Sequence, residues 1–121
     1  MATAFAVTTV IPARNIGMMK KEALYKHQWP NPTVAAGHAW DLSADFTEVH
    51  GYTFGPSAAV TDHGLMVPNL IGTLGTYGYT SSTISMVGHQ TGTGDVAPLA
   101  SVPNSDDHSA VTSMLVTVYG Y

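Results

Sequence analysis

The chain has 121 residues, of which 45% are hydrophobic and only 10% are Asp, Glu, Lys or Arg, and its formal net charge is −4. This composition excludes a disordered tail and a coiled coil, and it predicts a surface largely covered by other protein. The absence of cysteine excludes disulfides and thiol catalysis. No segment reaches the roughly 20 apolar residues of a membrane span, and the first residues lack the basic stretch of a secretory signal, so we expect no membrane partner.

The few charges are unevenly distributed along the chain. All four bases lie within residues 1–26, namely Arg14, Lys20, Lys21 and Lys26. That stretch has a net charge of +3, whereas the rest of the chain has seven acids, no base and a net charge of −7. The basic stretch is either a solvated face or a surface that complements an acidic partner or an identical subunit. Four bases without interleaved aromatic residues make a weak phosphate footprint, so nucleic acid is not an expected partner.

The first part of the chain is predicted to form strands. Residues 3–11 are small, β-branched and apolar, and we interpret them as a strand that Pro12 ends, because proline donates no ladder hydrogen bond. Residues 1–12 could then form an arm that pairs with a neighbour. Residues 18–29 fit a helix by their local helix formers, or a strand by their alternation of side chains. We favour the strand because the surrounding pattern is β.

The next two elements are a turn and a strand. Residues 40–46 are predicted to form a short helical turn, which Asp41 or Ser43 would cap. The strand at 48–54 contains Gly51, where its alternation changes phase, and a glycine inside a strand suggests a bulge.

Short β-like runs separated by glycine-rich turns fill most of the rest of the chain. We expect them at 58–61, 64–71, 72–80 and 82–88. A long polar loop should occupy 89–108, and an alternating strand at 109–119 should lie centrally in a sheet or be covered. The pattern predicts a single all-β domain, residues 1–121, folded as an antiparallel β-sandwich or barrel.

No grouping of residues predicts catalysis or a cofactor. The six histidines are dispersed, and only Asp62-His63 together with residues 106–108 could supply a metal site. We expect no metal there, because Asp and His are ordinary residues of turns. No serine lies in a Gly-x-Ser-x-Gly motif. We therefore predict that the protein is not an enzyme.

Aromatic residues are a stronger functional signal than the titratable ones. Their ordinary role is core packing, and the alternatives are a protein interface or a sugar-stacking face formed by Trp29, Trp40 or the pair Tyr77 and Tyr79. Two Tyr-Gly-Tyr motifs, at 77–79 and 119–121, place a small residue between two rings. This spacing suits close contact with another chain.

The end of the chain resembles a known class of proteins. Residues 109–121 combine Ser-Ala-Val, an alternating strand and an aromatic-Gly-aromatic ending, and in this they resemble small virion structural proteins of tailed bacteriophages. The Pro- and Gly-marked stretch 29–37 and the Trp-Asp-Leu-Ser unit at 40–43 look similar to the same family. The chain departs from that pattern at 34–36, where paired glycines are usual. The resemblance implies a β-rich, capsid-associated protein without catalytic residues.

These expectations combine into one functional prediction. We predict a capsid decoration or cement protein on the virion surface, with the major capsid protein as partner, no cofactor and a homo-oligomeric state in which a trimer is favoured. The alternatives are a phage tail or neck component and a glycan-binding module. The predicted interface comprises Phe5, Val7, Ile11, Arg14, Lys20, Lys21, Tyr77, Tyr79, Tyr119 and Tyr121.

Overall fold

The fold is described from a computed structural model of the chain. The residues that the structure describes are 4–18, 20–31, 33–34, 36–55, 58–60, 63–91, 99–101, 108–109, 111–112 and 114–121. Ten strands run through these ranges, and the only helical segment within them is a single 3-10 turn, Ser81–Thr83. The described part of the chain contains no helix with the length and apolar character needed to cross a bilayer.

The strands make up most of the described chain. They are β1 (Ala6–Gly17), β2 (Lys20–Gln28), β3 (His38–Ala39), β4 (Glu48–Phe54), β5 (Ala58–Val60), β6 (His63–Ile71), β7 (Tyr79–Thr80), β8 (Ser85–Thr91), β9 (Leu99–Ser101) and β10 (Met114–Gly120). All pairings between them are antiparallel.

The first sheet has the strand order β1-β2-β10-β4-β7, with β2 and β10 near its centre. The register places Val116 opposite Tyr25 and Val118 opposite Ala23, and all four side chains are buried. Because successive side chains of a strand point to opposite faces, this register directs one face of both strands into the core. The strand interpretation of residues 18–29 and the central position of the C-terminal strand are therefore confirmed.

The second sheet has the order β3-β8-β6-β5, and β9 also pairs with β8. It contributes Leu70 and Met86 to the same buried cluster that contains the inward residues of the first sheet. The Tyr52 hydroxyl of β4 donates a hydrogen bond to Asn69 Oδ1 of β6 and so links the two sheets. The described strands do not close into a barrel, so the predicted all-β fold is confirmed as a sandwich-like arrangement.

Strand β1 does not end at Pro12, as predicted, but continues to Gly17. The pairing with β2 shifts register between Ile11 and Arg14, so Pro12 lies in an irregular part of the ladder. β1 is also an edge strand, where a missing N–H is tolerated. Its residues pair with β2 of the same chain, while pairing of the N-terminal residues with a neighbouring subunit stays a prediction.

The strand predicted over residues 72–80 is largely wrong. Only Tyr79–Thr80 forms a strand, and Leu74 makes an isolated bridge to Tyr79. The intervening residues form a turn in which the Gly75 N–H donates to the Gly78 carbonyl oxygen at 2.6 Å. Three glycines in seven residues, at 72, 75 and 78, favour a turn over a continuous ladder.

The remaining local predictions have mixed outcomes. The turn at 40–46 is present, and Asp41 Oδ1 accepts a hydrogen bond from the Ser43 N–H at 2.8 Å. The predicted loop 89–108 is partly wrong, because β8 extends to Thr91 and β9 occupies Leu99–Ser101. Residues 92–98 and 102–107 of that loop lie outside the described residues.

Candidate interaction surfaces

An open groove lies at the end of the first sheet, beside the turn that joins β1 to β2. We call it the tyrosine groove; its volume is about 320 Å³, and it is lined by Met18, Lys20, His50, Tyr77 and Tyr121. A second lobe of about 260 Å³ shares two of these residues and is lined by Ile16, Lys20, Lys21, His50, Tyr119 and Gly120. Because Lys20 and His50 line both cavities, a ligand in either lobe would meet the same two polar side chains.

A β-bulge in β4 places His50 at this groove. The register pairs Gly51 with Tyr119 and Val49 with Gly120, so β4 contributes one extra residue, His50, to the ladder. A bulge kinks the strand and re-aims the extra side chain, which explains why His50 is exposed although it lies within a sheet. The bulge predicted at Gly51 is confirmed, and the side chain that it brings to the groove is that of the preceding residue, His50.

The two Tyr-Gly-Tyr motifs meet on either side of the start of β4. A Cβ atom at Gly78 would overlap the Val49 carbonyl, and one at Gly120 would overlap the Glu48 carbonyl. Both glycines are therefore required by close backbone approach within the chain itself. The two glycines thus serve packing against β4 within the chain, and contact of the flanking rings with another chain stays a prediction.

Glu48 anchors the turn that carries Tyr77. Its buried carboxylate accepts hydrogen bonds from the backbone N–H groups of Thr76 at 2.8 Å and Tyr77 at 3.1 Å. Desolvation, the negative charge of Glu48 and a hydrogen bond with it raise the pKa of Tyr121. Sequence reasoning missed Glu48, because the contacts that define its role lie 28 and 29 residues away.

The groove combines aromatic faces with a positive charge. The ring centroids of Tyr77 and Tyr121 are 6.3 Å apart, and the Tyr121 ring lies 5.4 Å from the His50 ring. Tyr77 is 73% exposed, so much of its ring remains open to a ligand. No acidic side chain in the described ranges forms an ion pair with Lys20. This arrangement can contact a ring-shaped ligand with an aromatic face and attract an anionic group.

A different surface is formed by the outer edge of the first sheet. We call it the β1 edge and define it by Val10, Ile11 and Arg14. Val10 is 47% exposed and Ile11 40% exposed, and within the described residues β1 pairs with no strand other than β2. Arg14 Nη2 lies 3.7 Å from Glu22 Oε1, which is a solvent-exposed and therefore weak ion pair. The edge thus offers unpaired backbone and apolar side chains with little charge.

At the opposite end of the first sheet lies a largely buried cluster of aromatic and histidine rings, to which β3 of the second sheet adds the half-buried His38. We call it the histidine cluster and define it by Phe5, His27, Trp29, His38 and Trp40. The His27 ring packs 4.5 Å from Trp40 and 5.5 Å from Phe5, and the His38 ring stacks on Phe5 at 5.0 Å.

Burial keeps the histidines of this cluster neutral. It lowers the pKa of His27 to about 4 and also lowers the pKa of His38. Neither ring nitrogen of His27 has a hydrogen-bond partner in the described structure. Sequence reasoning treated the histidines as dispersed; the signal that could have placed His27 inside is its phase with Tyr25 and Trp29 in the alternation of β2.

The ten predicted interface residues fall into three groups. Five lie around the tyrosine groove and its second lobe: Lys20, Lys21, Tyr77, Tyr119 and Tyr121. Two belong to the β1 edge: Ile11 and Arg14. Three pack against the core of their own chain: Phe5, Val7 and Tyr79. Contact of any of these residues with another molecule stays a prediction.

Neither metal ligation nor similarity to a known protein identifies the chain. Among the described residues, no group of three or more His, Cys, Asp or Glu side chains could hold a metal ion. The candidate ligands Asp62, Asp106 and Asp107 lie outside the described residues.

No protein-family model, curated protein or solved structure matches the chain.

Proposed function

We propose that this protein is a virion structural subunit, a decoration or cement protein that binds the outer surface of a tailed-phage head and stabilises contacts between major capsid subunits. The observation that carries the proposal is the β1 edge, a twelve-residue edge strand with exposed Val10 and Ile11 in a chain that is only 10% charged. The resemblance of the C-terminal residues 109–121 to virion structural proteins supports it.

An open edge strand has a defined way to bind a partner. Its unpaired N–H and C=O groups can extend a partner's sheet, and the apolar side chains add buried area. Soluble proteins protect such an edge with charge, proline or bulges. β1 contains Pro12 and several register shifts, but its only charged side chain is Arg14, which already faces Glu22. The edge therefore suits a permanent contact with a capsid subunit.

The charge distribution also supports the β1–β2 hairpin as the contact surface. All four bases of the chain lie on β1 and β2. An acidic capsid surface would attract this hairpin and repel the rest of the chain, which sets the orientation of binding. Repetition over a symmetric shell, strengthened by a trimeric subunit, would convert modest single-site affinities into stable coverage.

The test is binding to expanded phage heads that lack their decoration protein, measured by co-sedimentation. We expect saturable binding in a fixed ratio to the major capsid protein. Val10→Asp should weaken it about tenfold or more, because it places a charge in an apolar contact. Leu74→Asp is the matched control, since Leu74 is 75% exposed but lies in the turn before β7.

Point substitutions are preferable to deletion of residues 1–12, because Phe5 and Val7 pack against the core. The proposal fails if the wild-type protein does not bind such heads, or if Val10→Asp and Leu74→Asp bind equally well. Light scattering on the purified protein gives the oligomeric state, and a large closed ring in place of a trimer would favour the tail or neck alternative.

A further inference from the structure

We infer that the tyrosine groove is a binding site for a carboxylated sugar, such as a uronic or sialic acid residue of a glycan. This inference goes beyond the proposed capsid role and does not depend on it, because the residues that define the β1 edge do not line the groove; of the four bases of the β1–β2 hairpin, Lys20 alone lines it.

The size of the groove selects a small ligand. A volume of about 320 Å³ is at the lower end of the range for small-molecule sites, about 300–1,000 Å³. The second lobe has a volume of about 260 Å³ and shares Lys20 and His50 with the groove. One or two linked sugar rings match these dimensions. A partner strand of the kind proposed at the β1 edge is too long for this cavity.

The lining combines apolar surface, including two tyrosine rings, with the polar side chains of Lys20 and His50. Tyr77 and Tyr121 present aromatic rings on which the apolar face of a sugar can lie, as aromatic side chains offer apolar area together with a polar tip. Tyr77, His50 and Lys20 each carry a hydrogen-bonding group, while the Tyr121 hydroxyl is already hydrogen-bonded to Glu48. A ligand rich in hydroxyl groups satisfies them, and an aliphatic chain does not.

The charge of the groove specifies an acidic sugar. Lys20 has no ion-pair partner among the described side chains, so its charge is available to a ligand carboxylate. The neighbouring Lys21 is already engaged, since its Nζ donates to the Asp45 carbonyl oxygen at 3.2 Å. The nearby Glu48 carboxylate is not among the side chains that line either cavity; it accepts hydrogen bonds from the Thr76 and Tyr77 N–H groups and is hydrogen-bonded to Tyr121.

The groove is held in shape before a ligand arrives. Glu48 fixes the backbone under Tyr77, and the close approach of Gly120 to the Glu48 carbonyl fixes the strand end that precedes Tyr121. A backbone that is already fixed lowers the cost of ordering the site on binding. This compensates in part for the small contact area that a single sugar ring can offer.

The experiment is a titration of the full chain with glucuronic acid and, in parallel, with glucose, followed by two-dimensional NMR. We expect glucuronic acid to shift the resonances of the Lys20, His50, Tyr77 and Tyr121 region at millimolar concentration, and glucose to bind at least about fivefold more weakly. The fivefold difference corresponds to the loss of one exposed charge pair.

Two variants with matched controls test the roles of the lysine and the ring. Lys20→Ala should remove the preference for the acidic sugar, while Lys26→Ala, on the same strand outside the groove, should retain it. Tyr77→Ala should weaken both sugars about threefold or more, while Leu74→Ala in the same turn should not. The folded state of each variant is checked by its NMR spectrum.

Several outcomes would overturn the inference. They are equal binding of the two sugars, shifts confined to other residues, equal shifts with sodium acetate alone, or no binding of either sugar. The capsid-binding assay separates this result from the proposed function. Tyr77→Ala should still bind expanded heads, whereas Val10→Asp should lose binding to the heads and retain binding to glucuronic acid.

Discussion

The two ends of the first sheet differ in the exposure of their tyrosine, tryptophan and histidine rings. In the tyrosine groove the rings are accessible, and Glu48 holds the backbone around them through hydrogen bonds to Thr76 and Tyr77. In the histidine cluster His27 and Trp29 are almost fully buried, and their ring nitrogens lack partners in the described structure. The tyrosine groove is exposed and is held by hydrogen bonds, whereas the histidine cluster is buried and is held by side-chain packing.

The difference shows where each end gains and loses free energy. A buried polar group without a partner costs about 1–3 kcal/mol, so the histidine cluster must recover that cost from buried aromatic area and ring contacts. Its stability therefore depends on histidine remaining neutral. The tyrosine groove depends instead on the hydrogen bonds that the Glu48 carboxylate accepts, and on two glycines that admit neighbouring backbone.

The largest expected effect is a loss of stability at acidic pH that originates in the histidine cluster. The pKa of His27 is lowered from 6.5 to about 4, so the folded state binds fewer protons than the unfolded chain between these values. Unfolding free energy should then be constant above pH 6.5 and fall by about 3 kcal/mol down to pH 4. Urea denaturation at a series of pH values measures it.

Substitution at each end separates the source of this pH dependence. His27→Leu should be folded at pH 7 and lose most of the decline, because an apolar side chain of similar size has no proton to gain. His50→Leu, at the tyrosine groove, should keep the decline of the wild type. If His50→Leu flattened the curve and His27→Leu did not, the assignment of the two ends would be reversed.

The second effect concerns the close backbone approach at the tyrosine end. Gly120→Ala should lower the unfolding free energy by about 2 kcal/mol, because its Cβ would meet the Glu48 carbonyl and the Phe46 ring. Gly51→Ala is the control, since nothing lies within 4 Å of a Cβ at that position. Equal unfolding midpoints in urea for the two variants would contradict the required glycine at position 120.

Some parts of this contrast could be predicted from the sequence and others could not. The alternation in β2 and β10 is a local, period-two signal, and it correctly predicted buried faces for residues such as Val116. The groove depends on a bulge at His50 and on contacts of Glu48 across 28 residues, which no local pattern encodes. The prediction that Pro12 ends the first strand was wrong because the effect of a proline depends on whether the strand lies at an edge, which is a property of the assembled sheet.

The smallest effect, and the sharpest probe of how the open end is held, is Glu48→Gln. The amide keeps the volume of the side chain but presents an NH₂ group where two backbone N–H donors now meet a carboxylate, so we expect a loss of about 1–2 kcal/mol. Removing the negative charge should also shift the pKa of Tyr121 downward, although desolvation still raises it. NMR titration of the tyrosine rings at alkaline pH measures this shift. Glu22→Gln, which disturbs only the exposed pair with Arg14, should change neither quantity measurably. An unchanged Tyr121 titration in Glu48→Gln would show that the carboxylate does not organise the groove.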